Sequence, residues 1–452
     1  MRLTEEEYSN YTTILKEELL PAMGCTEPIA VAYAAARAGQ VLGEKAQHLN
    51  VRCSGNIIKN VKGVIVPNSG NQKGVEVAAT LGIIGGDPSR ALEVIADVTD
   101  EDRAKAGEMV REGYCEVELE EGVPNLYIRA EATGSINPAT GEPHRAVVLI
   151  EDNHTNVTRI EKDGAVLYDA AETVMGRTEK DTSGEKAFTE GFAGDRRKMT
   201  LKGILDYAET VDLEEVRATL ENQAACNTAI SQEGLDNPWG ARVGKTILEN
   251  WGGNVRARAM ARAAAGSDAR MSGCPLPVVI NSGSGNQGIT VTMPVLTYAE
   301  EWNLSRDKTL RGLIISNLVS IYIKHYIGAL SAFCGAVSAG AAAGAAITWL
   351  SGGGYDAVGR TITNTLGNVG GIVCDGAKPS CAAKIASSVH AALLAHYMSI
   401  SDKEFKGGEG FVENDIEETI RNMGYIGKIG MKETDVEILN VMIGKADVDS
   451  CV

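Results

Sequence analysis

From Thr4 to Leu42 the apolar positions recur at helical spacing in two runs, TEEEYSNYTTILKEELLPAM and EPIAVAYAAARAGQVLG. Thr4 with Glu7 has the spacing of a capping box, and the second run stops among Gly39 and Gly43. Between residue 47 and about 195 the period shortens. HLNVRCSG, YCEVELEEG, LYIRAEATG, RAVVLIEDNHTNVTRIEKDG and AVLYDA alternate or cluster β-formers between turn residues. Two helical runs, GVEVAATLGIIGG and ALEVIADVTDEDRAKAGEMVREG, interrupt those strands. The polar, charged stretch GRTEKDTSGEKAFTEGFAGDRRKMT (176–200) marks a boundary. From LKGILDYAETVDLEEVRATLENQAACNTAIS onward the pattern is mostly helical to the end. The expected fold is α+β. A mostly helical domain of residues 1–45 and 196–452 is discontinuous, with an α/β domain of 46–195 inserted into it.

One stretch tests that picture. YIGALSAFCGAVSAGAAAGAAITWLSGGGY (326–355) carries no charge and is long enough to span a bilayer. Glycine and alanine dominate it, large aliphatics are few and no basic loop flanks it, which favours a tightly packed buried helix or helix pair. A length of 452 residues allows two or three domains and a large core. The 51 glycines and 5% aromatics point to close backbone packing and glycine loops. A net charge of −17 argues against nucleic acid or an anionic membrane as partner. The opening MRLTEEEYSNY lacks the basic and apolar segments of an export signal, so a cytoplasmic setting is expected. Nine cysteines there read as metal ligands or nucleophiles rather than disulfides.

Two segments echo each other: VIVPNSGNQKGVEVAATLGI (64–83) and VVINSGSGNQGITVTMPVL (278–296). Each runs apolar strand, Asn-Ser, Gly-Asn-Gln and a further glycine. A loop of that kind turns amides and Asn/Gln side chains toward a carboxylate or phosphate near a helix start, although plain glycine turns give the same letters. Asn71, Gln72, Asn286 and Gln287 are the candidate contacts. Cys25, in LLPAMGCTEPIAVAYAAARA, stands where a helix begins, as a core thiol or a reactive thiolate. Cys334 lies in SAFCGAVSAG, and Cys374 and Cys381 form a Cys-x6-Cys pair among Gly370, Gly371 and Gly376, with Cys381 in a first helical turn. That spacing fits neither the short ferredoxin pattern nor most zinc knuckles, so a metal or cluster site stands beside inert buried thiols. Cys274, near the second loop, is a candidate fourth ligand. Cys53, Cys115 and Cys226 have core contexts, and Cys451 is nearly terminal. His325, His390 and His396 fall in helical patterns as core or surface imidazoles.

PAMGCTEPIAVAYAAARA, NSGNQKG and the Cys334/Cys374/Cys381 set together resemble the L-cysteine desulfidases, an oxygen-sensitive family of iron–sulfur lyases, over nearly the whole chain. The C-terminal cysteine region is also similar to the catalytic part of iron–sulfur L-serine dehydratases. The resemblance implies a β-elimination, L-cysteine plus water giving hydrogen sulfide, ammonia and pyruvate. It implies Cys25 as proton acceptor and Cys334, Cys374 and Cys381 as ligands of a [4Fe–4S] cluster. The partner is then a small amino-acid substrate, with homo-oligomerisation left open. The alternatives are the same chemistry on L-serine, a non-catalytic zinc or cluster protein, and a pyridoxal-phosphate enzyme using Lys245 or Lys384.

Overall fold

The computed structural model describes residues 3–171, 193–328 and 330–446. Cys451 and most of the charged stretch at 176–200, residues 176–192, lie outside the described residues. The chain forms two compact units, one of residues 23–191 and one of residues 1–22 with 192–452. It begins with α1 (Glu5–Glu18), whose capping box is made: Thr4 Oγ1 accepts the Glu7 N–H at 3.2 Å, and the Glu7 carboxylate accepts the Thr4 N–H at 2.9 Å. The short strand β1 (Pro21–Met23) follows.

The unit of residues 23–191 contains α2 (Thr26–Leu42), β2 (His48–Cys53), α3 (Gly55–Lys62), α4 (Val75–Gly85), α5 (Asp100–Arg111) and β3 to β7. These last are Cys115–Leu119, Tyr127–Ile136, Pro143–Glu151, Val157–Lys162 and Ala165–Asp169. The sheet order is β3-β2-β4-β5-β6-β7, parallel between β2 and β3 and antiparallel elsewhere. Alternation along β2 and β4 sets one buried face, in cross-strand rows such as Val51–Ala130–Val148 and Leu49–Ala132–Ala146. The opposite face carries the ion pairs Arg129–Glu131 on β4 and Arg159–Glu161 on β6. Helix α2 was expected among the helices of the other domain. It packs instead on α4 and on β4 and β5, so the units divide after residue 22 rather than 45. The reason is steric. A Cβ on Gly82 of α4 would collide with the Ala32 carbonyl, so the two helices meet backbone to backbone, and α2 packs on β4 and β5 as well.

The other unit adds α6 (Leu201–Thr210), α7 (Arg217–Asp236), α8 (Val243–Trp251), α9 (Val255–Met271), β8 (Pro277–Val279), α10 (Gly285–Glu301) and α11 (Arg306–Ile327). Then come α12 (Gly335–Leu350), α13 (Tyr355–Val369), α14 (Cys381–Ser399), α15 (Ile416–Tyr425) with a π-helical turn at Ile426–Gly430, and α16 (Lys432–Ile443). The uncharged stretch becomes α12, buried almost throughout and packed on α10, α11, α13 and α14. Its glycines admit neighbours closely: a Cβ on Gly344 would sit 3.0 Å from Ala392. No helix among the described residues is long and apolar enough to cross a membrane. Helix α1 joins this unit through Tyr8 and Tyr11, whose rings lie 5.2 and 5.3 Å from that of Tyr207, and β1 pairs with β8.

Candidate active site

Cys25 is buried and caps α2 with extended backbone (φ −80°, ψ 134°), making no capping hydrogen bond through its side chain. The helix start offers N–H groups and the positive end of the dipole, which favour a thiolate. Just before it, Gly24 has φ +59°, and a Cβ there would collide with Pro67 Cγ. That contact lays the first Asn-Ser-Gly-Asn-Gln loop beside the cysteine's segment. The loop closes on itself. Val66 N–H bonds the Gln72 carbonyl at 2.9 Å, Ser69 Oγ accepts the Gln72 N–H at 2.9 Å, and Gln72 Nε2 donates to the Ser69 carbonyl at 2.9 Å. Asn68 donates to the Ile95 and Ala96 carbonyls, both at 3.0 Å, and accepts from Arg103. Gln72 thus serves the loop, and Asn71 (φ +70°) is exposed at its tip. His154, buried with Nε2 3.9 Å from the Glu27 carboxylate, adds an imidazole to the first turn of α2 that nothing in EDNHTNVT marks.

The other three cysteines belong to the helical unit, where the backbone gathers them. Cys334 caps α12, again extended (φ −71°, ψ 119°) and without a side-chain cap bond. An antiparallel bridge pairs Phe333 with Val373. Cys334 N–H bonds the Ile372 carbonyl at 3.1 Å, and Cys374 N–H bonds that of Ala332 at 2.6 Å. Cys381 opens α14, its N–H on the Lys378 carbonyl at 2.9 Å and its thiol 3.6 Å from the Gly376 carbonyl. Burial pushes the Cys334 thiol up to about 12, with Cys374 and Cys381 adding to it and the Ala336 N–H opposing. Burial raises Cys381 as well, again with Cys374 adding. Lys384, one turn into α14, donates to the Val373 carbonyl at 2.7 Å and ion-pairs with Asp375. Partial burial resists ionisation of Asp375, but hydrogen bonds from Lys378 and Lys384 bring it down to about 2. The tie to Asp375 engages the ammonium that a Schiff base at Lys384 would need.

The second Gly-Asn-Gln segment joins this set. A Cβ on Gly335, next to Cys334, would lie 2.7 to 2.9 Å from the Gln287 amide. The turn behind it is a two-residue reversal, with Asn281 and Ser284 exchanging hydrogen bonds of 3.2 and 3.0 Å across Ser282 (φ +49°) and Gly283 (φ +72°). Ser284 then caps α10, accepting the Gln287 N–H at 3.5 Å. A buried amide chain holds the turn from below. Asn281 Nδ2 donates to Asn317 Oδ1 at 3.0 Å, and Asn317 and Gln223 exchange bonds of 2.7 and 2.9 Å. Glu18, at the end of α1, is raised by burial, accepts the Ser282 N–H and pairs with Arg196 at 2.8 Å. Sequence reasoning missed Lys384 as a partner of the thiols and this network.

Among the described residues, no three His, Cys, Asp or Glu side chains converge as ligands of a single metal ion. A four-iron cluster takes one thiolate per iron, so its ligands do not meet at a point. Three thiols on glycine-rich loops that sense one another's charge, with an amide donor to Cys334 and an ammonium close by, suit such a group. Of the remaining cysteines, Cys53 and Cys115 are buried in β2 and β3, whereas Cys226 is half-buried on α7 rather than in the core. Cys274 is buried beyond α9, its thiol raised by burial and touched by the Leu276 N–H. Cys25, Asn71 and Gln72 belong to one unit, and Asn286, Gln287 and the three gathered cysteines to the other.

The family model described as the serine dehydratase alpha chain matches residues 89–440. A UPF0597 protein of Finegoldia magna is 47% identical over 436 residues, covering 96% of this chain and all of the relative. One of Lachnoclostridium phytofermentans is also 47% identical over 96% of this chain and all of its own. A third, of Desulfitobacterium hafniense, is 44% identical over 98% of this chain and 99% of its own. The chain belongs to the serine dehydratase alpha chain family, which is a family of iron–sulfur lyases.

Proposed function

We propose that this member of the family is a lyase that removes hydrogen sulfide from L-cysteine by β-elimination, with Cys25 as base. Cys334, Cys374 and Cys381 would hold a [4Fe–4S] cluster. The observation that carries the reading is the gathering of those three cysteines, with the Gln287 amide against the residue beside Cys334. Such a cluster, held by those three thiolates, would supply Lewis acidity toward the leaving group. The protein's own part is acid–base chemistry and positioning. The Cys25 thiolate takes the α-proton, the electron pair forms the Cα–Cβ double bond, and the C–S bond breaks with sulfur leaving as hydrosulfide. The aminoacrylate tautomerises to an imine, which water splits into ammonia and pyruvate. An ordinary thiol near pKa ~8.5 is mostly protonated at neutral pH, so the helix start at Cys25 matters to its ionisation. Free thiols and a cluster of this kind suit a reducing, cytoplasmic setting.

Anaerobically purified protein is expected to show the broad visible absorption of a cluster and to release sulfide and pyruvate from L-cysteine. Cys374→Ala should lose the absorption and the activity together. Cys25→Ala should keep the absorption and lose on the order of 10²- to 10⁴-fold in kcat. A Cys25→Ala protein turning over at the wild-type rate removes the base assignment. The match to the serine dehydratase alpha chain favours a second reading, the same elimination with the hydroxyl of L-serine leaving. The ratio of kcat/KM on the two amino acids decides between them. One zinc per chain and no iron would instead support a structural metal protein.

A further inference from the structure

An amino-acid lyase must hold both charged ends of its substrate. We infer that Arg270 takes the carboxylate and that the amide oxygens of Asn286 and Gln287 take the ammonium, an assignment that rests on the amino-acid lyase reading above. Arg270 is the penultimate residue of α9 and only 3% exposed. Its guanidinium lies against Gly285, the first residue of α10. A Cβ there would fall 2.8 Å from Arg270 Cζ and closer still to Nε, so the glycine makes room for the cation at the helix start. A buried guanidinium beside exposed helix N–H groups concentrates positive potential on one spot, and Arg presents a planar fork that matches a carboxylate.

The next two residues supply the opposite chemistry. Asn286 Oδ1 and Gln287 Oε1 are both buried and find no hydrogen-bond donor among the described residues, and Gln287 as a whole is 6% exposed. A buried acceptor without a donor is costly, and what it lacks is an N–H. An ammonium carries three. The two amides follow Gly285 directly at the start of α10, and Asn286 Nδ2 reaches Sδ of Met271, the residue after Arg270, at 3.5 Å. The Gln287 end abuts Gly335, which follows Cys334, so the head-group grip adjoins the cysteine set.

The test uses the cluster-loaded protein and three unreactive or partial ligands as competitive inhibitors. L-Alanine keeps both charges and lacks a leaving group, 3-mercaptopropionate lacks the ammonium, and cysteamine lacks the carboxylate. Arg270→Gln should weaken L-alanine and 3-mercaptopropionate on the order of tenfold to hundredfold and leave cysteamine unchanged, with Arg270→Lys intermediate. Gln287→Leu should weaken L-alanine and cysteamine and spare 3-mercaptopropionate. If Arg270→Gln does not fold, Arg270→Lys and Gln287→Leu carry the comparison, each checked by thermal melting. Equal weakening of all three ligands by either variant, or none, overturns the assignment. A wild-type protein that binds none of the three and turns over neither L-cysteine nor L-serine overturns the lyase reading and this assignment with it.

Discussion

At the scale of single residues, glycines decide where the chemistry-bearing cysteines stand. Gly24 and Gly43 both have positive φ, +59° and +76°, at opposite ends of α2. A side chain at Gly43 meets nothing closer than 3.7 Å, whereas one at Gly24 collides with Pro67. Gly43→Ala should therefore cost about 1–2 kcal/mol, the backbone term alone, and Gly24→Ala distinctly more. Denaturant midpoints of the two variants separate the effects, and equal losses would mean that Pro67 simply moves aside. Gly24→Ala is also expected to lose activity while keeping visible absorption, because its strain falls next to Cys25. Much of this scale was legible in the chain: Cys25 at a helix start and Cys381 in a first turn both follow from flanking Pro, Ser and Gly. The different use of the two Gly-Asn-Gln copies was not legible. The helix after the first copy is capped by Gly74, beyond the motif, and the one after the second by Ser284, ahead of it. Gln72 thus closes a loop while Gln287 lies inside a helix, and similar letters give different geometry because the cap falls on opposite sides of the motif.

At the scale of elements, α12 explains its own composition. Four helices surround it, and only glycine and alanine let all four come close. Gly344→Val places two methyl groups where one Cβ already stands 3.0 Å from Ala392 and 3.2 Å from Thr361. Overpacking there should cost about 3 kcal/mol, seen as a lower melting temperature. Gly354→Ala, at a position open to 4 Å, serves as the control, and a Gly344→Val protein as stable as that control would contradict the packing argument. The absence of charge over 326–355 announced burial, and the choice between core and membrane followed from its small residues. The partner of α2 could not be read the same way. An alanine-rich helix fits a helical neighbour or a sheet equally well, and the choice turned on Gly82, far along the chain.

At the scale of the molecule, two buried groups set opposing acid responses. Asp268 accepts the Gly244 and Val243 N–H groups, and burial raises its carboxyl to about 6. Being raised, it favours the folded state below its unfolded value near 3.8 and gives that up as pH climbs through 6. Burial lowers His396, whose Nδ1 lies 2.9 Å from Thr348 Oγ1, to about 4. Its contribution is present above 6.5 and lost as pH falls through 4. Each spans on the order of 3 kcal/mol, and over pH 4 to 6.5 they offset. Asp268→Asn should therefore make stability fall as pH drops from 6.5 to 4, and His396→Gln should make it fall as pH rises over the same window. Urea midpoints at pH 4, 5 and 6.5 check both, and flat profiles in both variants would refute the pairing. The division into two units has a further consequence, for synthesis on the ribosome. Residues 23–191 are contiguous and can fold as soon as they emerge, but α1 cannot. Its partners Arg196, Tyr207 and the Ser282 turn are made long after Glu18, and at ~5–20 residues per second Arg196 alone follows by roughly 10–40 s. Through that interval α1 is a loose end. The turn beneath Asn286 and Gln287 is thus completed by a segment made long before it.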